Sequence, residues 1–510
     1  MTDRLGFVSL VGAGPGDVRL ITLAGLSAIE RAEVVVYDML VNPQLLEHAP
    51  DADRIFVGKQ GGGKYTPQEQ INAILIDQAR QGKRVVRLKG GDPLVFARGA
   101  EELEALSAAG IDFEIIPGVT AALAAAATAA IPLTHRHESS TLVLVTGHED
   151  SEKEAGVDWS QLARVPGTLA IYMARAKIGP ISAALIAGGK DPNTPIAFVQ
   201  WAGSNQQVTH VARLADALSG APPHVGTPML AIIGKVVAHR HELAWFESRP
   251  LFGQTILLLR PEEQNQTLAS RLEDAGATVL SEPTLRIAPP DDWEPLDQAI
   301  ADLERFNVLV FTSRHGVTSF LDRLWRLGKD ARALAHLQIA VVGPGPAEEL
   351  ARSRIHADIV PDEFRAERLA ELLLPDAPWQ RFLLVRADRG RKVLEETLAP
   401  AAREIVSVVG YRQIDIPRPS ARTIQHLRAG KIDWVFLTSG NVARGFFSWL
   451  DSDLPQILRE RTKLLSISPI TSQVVREAGY PVALEASKHS PEGMMDELLA
   501  SMAVGSKIRR

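Results

Sequence analysis

Short apolar runs that end in Gly/Pro-rich turns alternate with stretches of helical spacing along this chain. That alternation restricts it to an α/β fold built on parallel-type strands. Phe7–Val11 is an apolar run closed by a Gly/Pro turn, Leu20–Arg31 has helical spacing, and Glu33–Tyr37 and Arg84–Leu88 read as further strands. Gly61, Gly62 and Gly63 mark a mobile loop. Pro117-Gly118 interrupts the pattern ahead of an Ala-rich helix, and strands are expected again at Thr141–Thr146, Thr168–Met173, Ile196–Gln200 and Met229–Ile233. Two α/β lobes that meet near Pro117 follow from this order, one over about 1–117 and one over 118–246.

The run HELAWFESRPLFGQTILLLR leaves one apolar strand and starts another, with Arg249-Pro250 between them. A linker is therefore expected over 247–253. Beyond it the chain repeats itself once. FNVLVFTSRHGVTSF (Phe306–Phe320) is similar to IDWVFLTSGNVARGF (Ile432–Phe446), with Thr312 and Thr438 126 residues apart. A second matched pair sets Gly343 and Ser468 125 residues apart. A long period repeated once denotes a duplicated domain, not a solenoid. Each copy reads strand, Thr-Ser turn, helix, strand, Gly/Pro turn, helix, so two similar open α/β lobes should flank a cleft.

Composition narrows the chemistry. The 510 residues suit about three or four domains. Hydrophobic residues at 45% and charged residues at 23% describe ordinary core-forming material. A net charge of −6 makes a poor general nucleic-acid binder. There is no cysteine, which excludes disulfides, cysteine-ligated zinc, iron–sulfur clusters with their radical chemistry, and a cysteine nucleophile. The N-terminal Met1–Leu10 lacks a basic-then-apolar signal layout. Val119–Ile131, the longest apolar-looking stretch, is far shorter than a membrane span of about 20 residues. The expectation is a cytoplasmic protein acting on small molecules, with neither membrane nor nucleic acid as partner.

Three motifs could carry chemistry. VGAGPGD (Val11–Asp17) is a strand-to-helix turn that can bring backbone N–H groups close to a ligand. Its glycines, Gly12, Gly14 and Gly16, alternate where a dinucleotide fingerprint needs G-x-G-x-x-G, and Pro15 lacks an N–H, so a plain tight turn remains open. VVRLKGGDPLVFARGAEE (Val85–Glu102) carries Arg87 and Lys89 into Gly90-Gly91-Asp92-Pro93. Asp92 sits either against a ligand at a strand end or as the cap of the following helix. PGVTAALAAAATAAIPLTHR (Pro117–Arg136) joins a turn to a small-residue helix suited to close packing, and His135 at its end reads as an ordinary surface residue without a visible partner. Asp38 and Lys59 stand at strand ends beside loops, where a solvated loop charge is as good a reading as a functional one.

Taken in order, VGAGPGD, YDMLV, VGK, RLKGGDP, RGAEE, PGVTAALAAAA, AIPLTHR, VTGH and IYM resemble the uroporphyrinogen-III C-methyltransferases of the tetrapyrrole methylase superfamily, over about Phe7 to Phe246. The resemblance implies S-adenosylmethionine as methyl donor, leaving as S-adenosylhomocysteine, bound between two α/β lobes without a metal. Its contacts fall on Pro15, Gly90, Gly91, Asp92, Val95, Thr120, Ala121 and Met173, and a further family glycine falls on Ala202, next to Gly203. Asp38 and Lys59 match the family's acid/base candidates. Arg98, Glu101 and Arg136 match residues that handle the porphyrinogen, whose carboxylates suit the planar arginine fork. Glu101 or Asp38 would assist proton loss after methyl transfer. A homodimer through this half is the one macromolecular partner the resemblance leaves open.

The second half resembles uroporphyrinogen-III synthase, on the paired Thr-Ser turns, LLVRADRGRKVLEETL, VVGYRQ and SISPITSQVVREAGYPV. That implies a two-lobed flavodoxin-like α/β fold over 254–510, with 254–285 and 418–510 in one lobe and 287–413 in the other. Binding positions fall on Thr312, Ser313, Arg386, Thr438, Ser439 and Thr471, and Tyr411 is the acid-like candidate. The family's threonine after the first Gly turn falls on Pro346, which has neither hydroxyl nor N–H.

The implied function is a fused enzyme that cyclises hydroxymethylbilane to uroporphyrinogen III and methylates it twice to precorrin-2. The alternative is an active methyltransferase whose C-terminal module binds a tetrapyrrole without cyclising it, a reading that Pro346 keeps alive. A nicotinamide-dependent oxidoreductase is disfavoured by the glycine spacing.

Overall fold

The computed structural model describes residues 6–58, 66–148, 156–390, 392–451 and 453–508. The chain forms two compact units, one of 1–254 with 271–278 and 501–510, the other of 255–270 with 279–500.

The first unit holds two five-stranded sheets. The first sheet, in the order β3-β2-β4-β1-β5, is wholly parallel and comprises β1 (Phe7–Gly12), β2 (Val34–Tyr37), β3 (Asp53–Phe56), β4 (Arg84–Lys89) and β5 (Asp112–Ile116). Its inner strands are apolar on both sides because helices cover both faces. Val35, Val86 and Leu88 face one cluster with Ile29 of α1 (Leu23–Glu30), and Val34, Val36 and Val85 face the other with Leu75 of α2 (Gln68–Arg80). α3 (Gly99–Ala108) runs between β4 and β5.

The second sheet, β6-β7-β10-β8-β9, comprises β6 (Leu142–Thr146), β7 (Thr168–Tyr172), β8 (Pro195–Gln200), β9 (Val208–Arg213) and β10 (Met229–Ile233). Only β6–β7 is parallel; β10 runs antiparallel to β7 and β8, and β9 to β8. The all-parallel reading thus holds for one lobe only. The short connection from β8 to β9 makes a reversal easier than a crossover. α4 (Ala121–Thr128) lays Ala122 and Ala125 on Ala170, Ala197 and Leu230 of this sheet. Small side chains on both partners allow the close approach.

The segment 247–253 is more than a bare connection. Leu251 is fully buried and its N–H donates to the Ala275 carbonyl at 2.9 Å.

The second unit also holds two five-stranded sheets. One is β12-β11-β18-β19-β20, with β11 (Thr255–Leu258), β12 (Thr278–Ser281), β18 (Trp434–Leu437), β19 (Lys463–Ser466) and β20 (Leu484–Glu485). The other is β13-β17-β16-β14-β15, with β13 (Leu285–Ala288), β14 (Val308–Phe311), β15 (Gln338–Val341), β16 (Arg381–Ala387) and β17 (Glu404–Asp415). Its strands are parallel except β13, which is antiparallel to β17. The repeated segments occupy equivalent places. β14 and β15 feed helices Arg314–Arg326 and Pro344–Arg352, as β18 and β19 feed Gly440–Phe447 and Pro469–Glu477. Among the described residues no helix is long and apolar enough to cross a membrane.

Candidate functional sites

The turns leaving β1, β4 and β5 stack at the C-terminal end of the first sheet, the end at which open parallel sheets bind ligands. Gly14 and Gly91 exchange two N–H···O bonds of 3.1 Å, and the Ala13 N–H donates to the Lys89 carbonyl at 2.8 Å. A Cβ on Gly12 would come within 2.5 Å of Gly118 N, and one on Gly16 within 2.6 Å of the Gly203 carbonyl carbon. These glycines let backbone pack on backbone, and Gly16 brings the first lobe against the second. Gly91 differs. Its φ is +74°, and a Cβ there would stand 3.8 Å from Ala121 N and 3.9 Å from Thr120 Cα. It would make ordinary van der Waals contact with the head of α4, where amide hydrogens lack intrahelical acceptors.

Asp92 ties two of the turns together. Its Oδ1 accepts from Leu94 N at 2.9 Å and its Oδ2 from Gly118 N at 3.1 Å. The helix-cap reading fails, because α3 begins only at Gly99 with Arg98 as its N-cap. Thr120 Oγ1 lies 2.7 Å from Tyr172 Oη, which also accepts from Ala122 N at 3.0 Å. Burial pushes the Tyr172 phenol up, so it stays neutral in this position. Sequence reasoning singled out Met173 in the IYM motif but not Tyr172 beside it. The available signal was its place at the strand end beside Met173. The Phe96 ring lies 4.7 Å from that of Tyr172, and Val95, Ala121 and Ala202 pack on the same cluster as α4.

Of the six non-glycine residues with positive φ among those described, four, Phe96, Arg98, Met173 and Trp201, belong to these segments. Left-handed backbone costs about 1–3 kcal/mol where a side chain is present and persists where its surroundings impose it. The fold therefore gathers Pro15, Gly90, Gly91, Asp92, Val95, Thr120, Ala121, Met173 and Ala202 into turns that converge where the two lobes of the first unit meet.

The acid/base candidates divide. Asp38 follows β2, where its Oδ1 accepts from Leu40 N at 3.0 Å and its Oδ2 lies 3.6 Å from the Arg87 guanidinium. Glu101, in the first turn of α3, holds Arg98 through contacts of 2.8 and 2.6 Å. Arg136 is exposed in the turn after α4. Lys59 and Gly61–Gly63 lie outside the described residues. The buried acid is the next one along. Glu102 Oε1 accepts from Arg87 Nε at 3.1 Å and Lys89 Nζ at 2.8 Å, while Oε2 has no hydrogen-bond partner among the described residues. Burial pushes the Lys89 amine down and Arg87 adds to that, against the pull of Glu102. The signal for Glu102 was Arg87 and Lys89 alternating on an otherwise apolar strand, two cations on one face that require an anion.

In the second unit, two strand-to-helix turns leave each sheet. Ser313 and Ser439 cap their helices, accepting from Gly316 N at 3.0 Å and Val442 N at 3.2 Å. Thr312 and Thr438 precede them at the strand ends. Ser468 caps the third helix by accepting from Thr471 N at 3.4 Å, and Thr471 is buried in its first turn. The fourth helix opens from Gly343 with Pro346 buried at the place of Thr471. Helix N-termini favour carboxylates and other anions. The Tyr411 hydroxyl donates to Ser313 Oγ at 2.9 Å, and burial pushes its phenol up. Arg386 spends its guanidinium on Ser407 Oγ at 2.9 Å and the Ala387 carbonyl at 2.8 Å, so it braces its own strand end. A cation the sequence reading missed is Arg260, just past β11. Burial pushes it down, Arg314 of the other sheet pushes the same way, and Glu492 opposes them. Charges from both sheets thus share one neighbourhood.

Comparison with known proteins matches these two units to two families. Residues 8–218 match the tetrapyrrole (corrin/porphyrin) methylases, and residues 266–496 match uroporphyrinogen-III synthase HemD. A porphyrin biosynthesis protein HemD from Ruminiclostridium josui is 32% identical over 507 residues, 97% of this chain and 98% of the relative. Siroheme synthase 2 of Yersinia pestis bv. Antiqua (strain Nepal516) is 49% identical over 250 residues, which are 49% of this chain and 52% of that protein. A crystal structure of uroporphyrin-III C-methyl transferase from Thermus thermophilus, complexed with S-adenyl homocysteine, is 38% identical over 46% of this chain and 93% of its own, with a TM-score of 0.40. The chain therefore belongs to the porphyrin biosynthesis family represented by its full-length relative, with a tetrapyrrole methylase and a uroporphyrinogen-III synthase region in one polypeptide.

Proposed function

We propose that the first unit transfers two methyl groups from S-adenosylmethionine to uroporphyrinogen III, giving precorrin-2, and that the second unit makes uroporphyrinogen III from hydroxymethylbilane. The observation that carries the first half is the convergence of the β1, β4 and β5 turns on the head of α4, with Gly91 at φ +74° facing Thr120 and Ala121. The residues present suit the donor because glycine backbone at Gly90 and Gly91 lets a ligand approach the main chain, where a side chain at Gly91 would stand in the way. When bound, S-adenosylmethionine supplies an electrophilic methyl group on a sulfonium centre.

The residues around it do the positioning. Gly90, Gly91 and Asp92 form one wall, Thr120 and Ala121 the helix-head wall, and Met173 and Ala202 the side from the second lobe. Asp92 acts by locking the Leu94 and Gly118 turns in register. Arg98 and Arg136 receive substrate carboxylates; Arg98 exchanges Glu101 for one on binding. Asp38, 3.6 Å from the Arg87 guanidinium, is the group proposed to take the proton that leaves the macrocycle after methylation. In-line positioning supplies most of the rate.

The second half rests on four helix N-termini, two from each sheet, together with Arg260 and Arg314. They suit a linear tetrapyrrole that must be folded by its carboxylates before ring closure. Tyr411 is the proton donor to the departing hydroxyl. With uroporphyrinogen III and methyl-labelled donor, the full chain should incorporate two labels per macrocycle. Absence of label from protein that binds the donor would refute the methyltransferase reading.

A further inference from the structure

His135 has partners that its sequence neighbours do not reveal. The tetrapeptide His-Arg-His-Glu occurs twice in the chain, at 135–138 and 239–242. The fold takes His135 and Glu138 from the first copy and His239 from the second. The segment after α4 closes as a tight turn, with His135 N–H donating to the Ser139 carbonyl at 2.8 Å and Ser139 N–H to the His135 carbonyl at 2.9 Å. That turn puts His135 and Glu138 on one side. His239 ends the short helical turn Lys235–His239 that follows β10. Its Nε2 lies 3.1 Å from Glu138 Oε2, and its ring centroid 4.6 Å from that of His135. One nitrogen from each histidine and one Glu138 oxygen all lie within 4.8 Å of one another.

We propose that His135, Glu138 and His239 bind a divalent transition-metal ion of the zinc class. Two imidazoles and one carboxylate are a three-ligand set for zinc, with water in the fourth position. Metal–ligand bonds of about 2.0–2.1 Å place tetrahedral ligand atoms about 3.3 Å apart. The His239–Glu138 separation already has that value to within a few tenths of an ångström. The third ligand, His135, is half-buried and closes by side-chain rotation toward His239 and Glu138, whose side chains are a third exposed. A hydrogen-bonded His–Glu pair accounts for two of these groups; the His135 Nδ1 accepts from the His137 N–H at 3.4 Å, which leaves its Nε2 as the nitrogen offered to an ion. The nearest cation on the His239 segment does not compete for Glu138, because Arg240 donates to the Ala129 carbonyl at 2.6 Å and pairs with Glu247. The bound ion would fasten the 133–139 turn to the end of the 235–239 turn. None of its ligands is among the residues proposed to hold the donor.

The test uses the untagged full chain, stripped with EDTA, dialysed, and titrated with zinc chloride against a fluorescent zinc chelator. One equivalent should bind. His135→Ala and His239→Ala should each weaken that site at least about tenfold, Glu138→Gln should weaken it in the same direction, and His241→Ala should leave it unchanged. Cobalt(II) at the same site should give the intense visible absorption of a tetrahedral centre and lose it in both histidine variants. Zinc should also raise the thermal unfolding midpoint of the parent chain and not of folded His239→Ala, which separates lost ligation from lost folding. No binding, or one-equivalent binding unaffected by both histidine substitutions, would overturn the proposal.

Discussion

Gly91→Ala separates binding from folding more sharply than any other substitution in the first unit. The backbone at Gly91 has φ +74°. Placing an alanine there costs about 1–2 kcal/mol of left-handed strain. No further clash is expected, because the nearest atoms to the new Cβ are 3.8 Å away. Gly12→Ala makes the contrast, since its Cβ would press within 2.5 Å of Gly118 N and force backbone apart. The Gly91→Ala chain should therefore fold, with a modest loss of stability in urea denaturation. Its new methyl stands on the backbone face proposed to meet the donor, so calorimetric titration should show S-adenosylmethionine and S-adenosylhomocysteine bound at least about tenfold more weakly, a loss of about 1.4 kcal/mol or more. Gly12→Ala should lose stability first, with both effects together. A Gly91→Ala protein that binds both ligands like the parent would refute the placement of the donor.

Replacing Glu102 by leucine leaves Lys89 buried without its anion and Arg87 with only the more distant Asp38, and should cost about 3–5 kcal/mol in urea denaturation. Arg98→Ala and Arg136→Ala should each weaken porphyrinogen use by about ten- to a hundredfold, from about 1.5–3 kcal/mol per charged hydrogen bond, while calorimetry shows donor binding intact. Tyr411→Phe should slow cyclisation while leaving methylation of supplied uroporphyrinogen III unchanged. Burial holds the Tyr411 phenol above the ordinary tyrosine range, so its folded value exceeds its unfolded one. The stability it contributes is complete below the unfolded value and is lost as pH rises through the folded one. Alkaline denaturation should accordingly begin at higher pH in Tyr411→Phe.

The sequence was most legible where strands are buried on both faces. β1, β2, β4, β7, β8 and β10 stand within a residue or two of their expected places because continuous apolar runs leave little choice. β3, β5 and β9 escaped because they lie at sheet edges and mix polar or charged residues into the run, as in Asp112–Ile116, most of which is exposed, whereas the edge strand β6 (Leu142–Thr146) is nearly all apolar and was expected. The mixed second sheet was equally hidden, since strand direction is set by connections and not by composition. Among site residues, glycine turns were readable because their backbone conformations exclude most other residues. Glu102, Tyr172, Arg260 and the His135–His239 pair were not, because each depends on a partner remote in sequence. Asp92 was visible but misassigned in one alternative: the helix it was offered as capping starts seven residues further on, and its carboxylate joins two turns instead.

The central claim is that one chain carries two consecutive activities. Its most direct test supplies the full chain with hydroxymethylbilane alone and then with S-adenosylmethionine added, with products resolved by isomer and by mass. The account predicts the type III isomer in the first reaction and the same macrocycle carrying two added methyl groups in the second. Only the uninverted isomer, which forms without any enzyme, in the first reaction would contradict the synthase half and leave a tetrapyrrole-binding module in its place. An unmethylated type III product in the second would contradict the methyltransferase half.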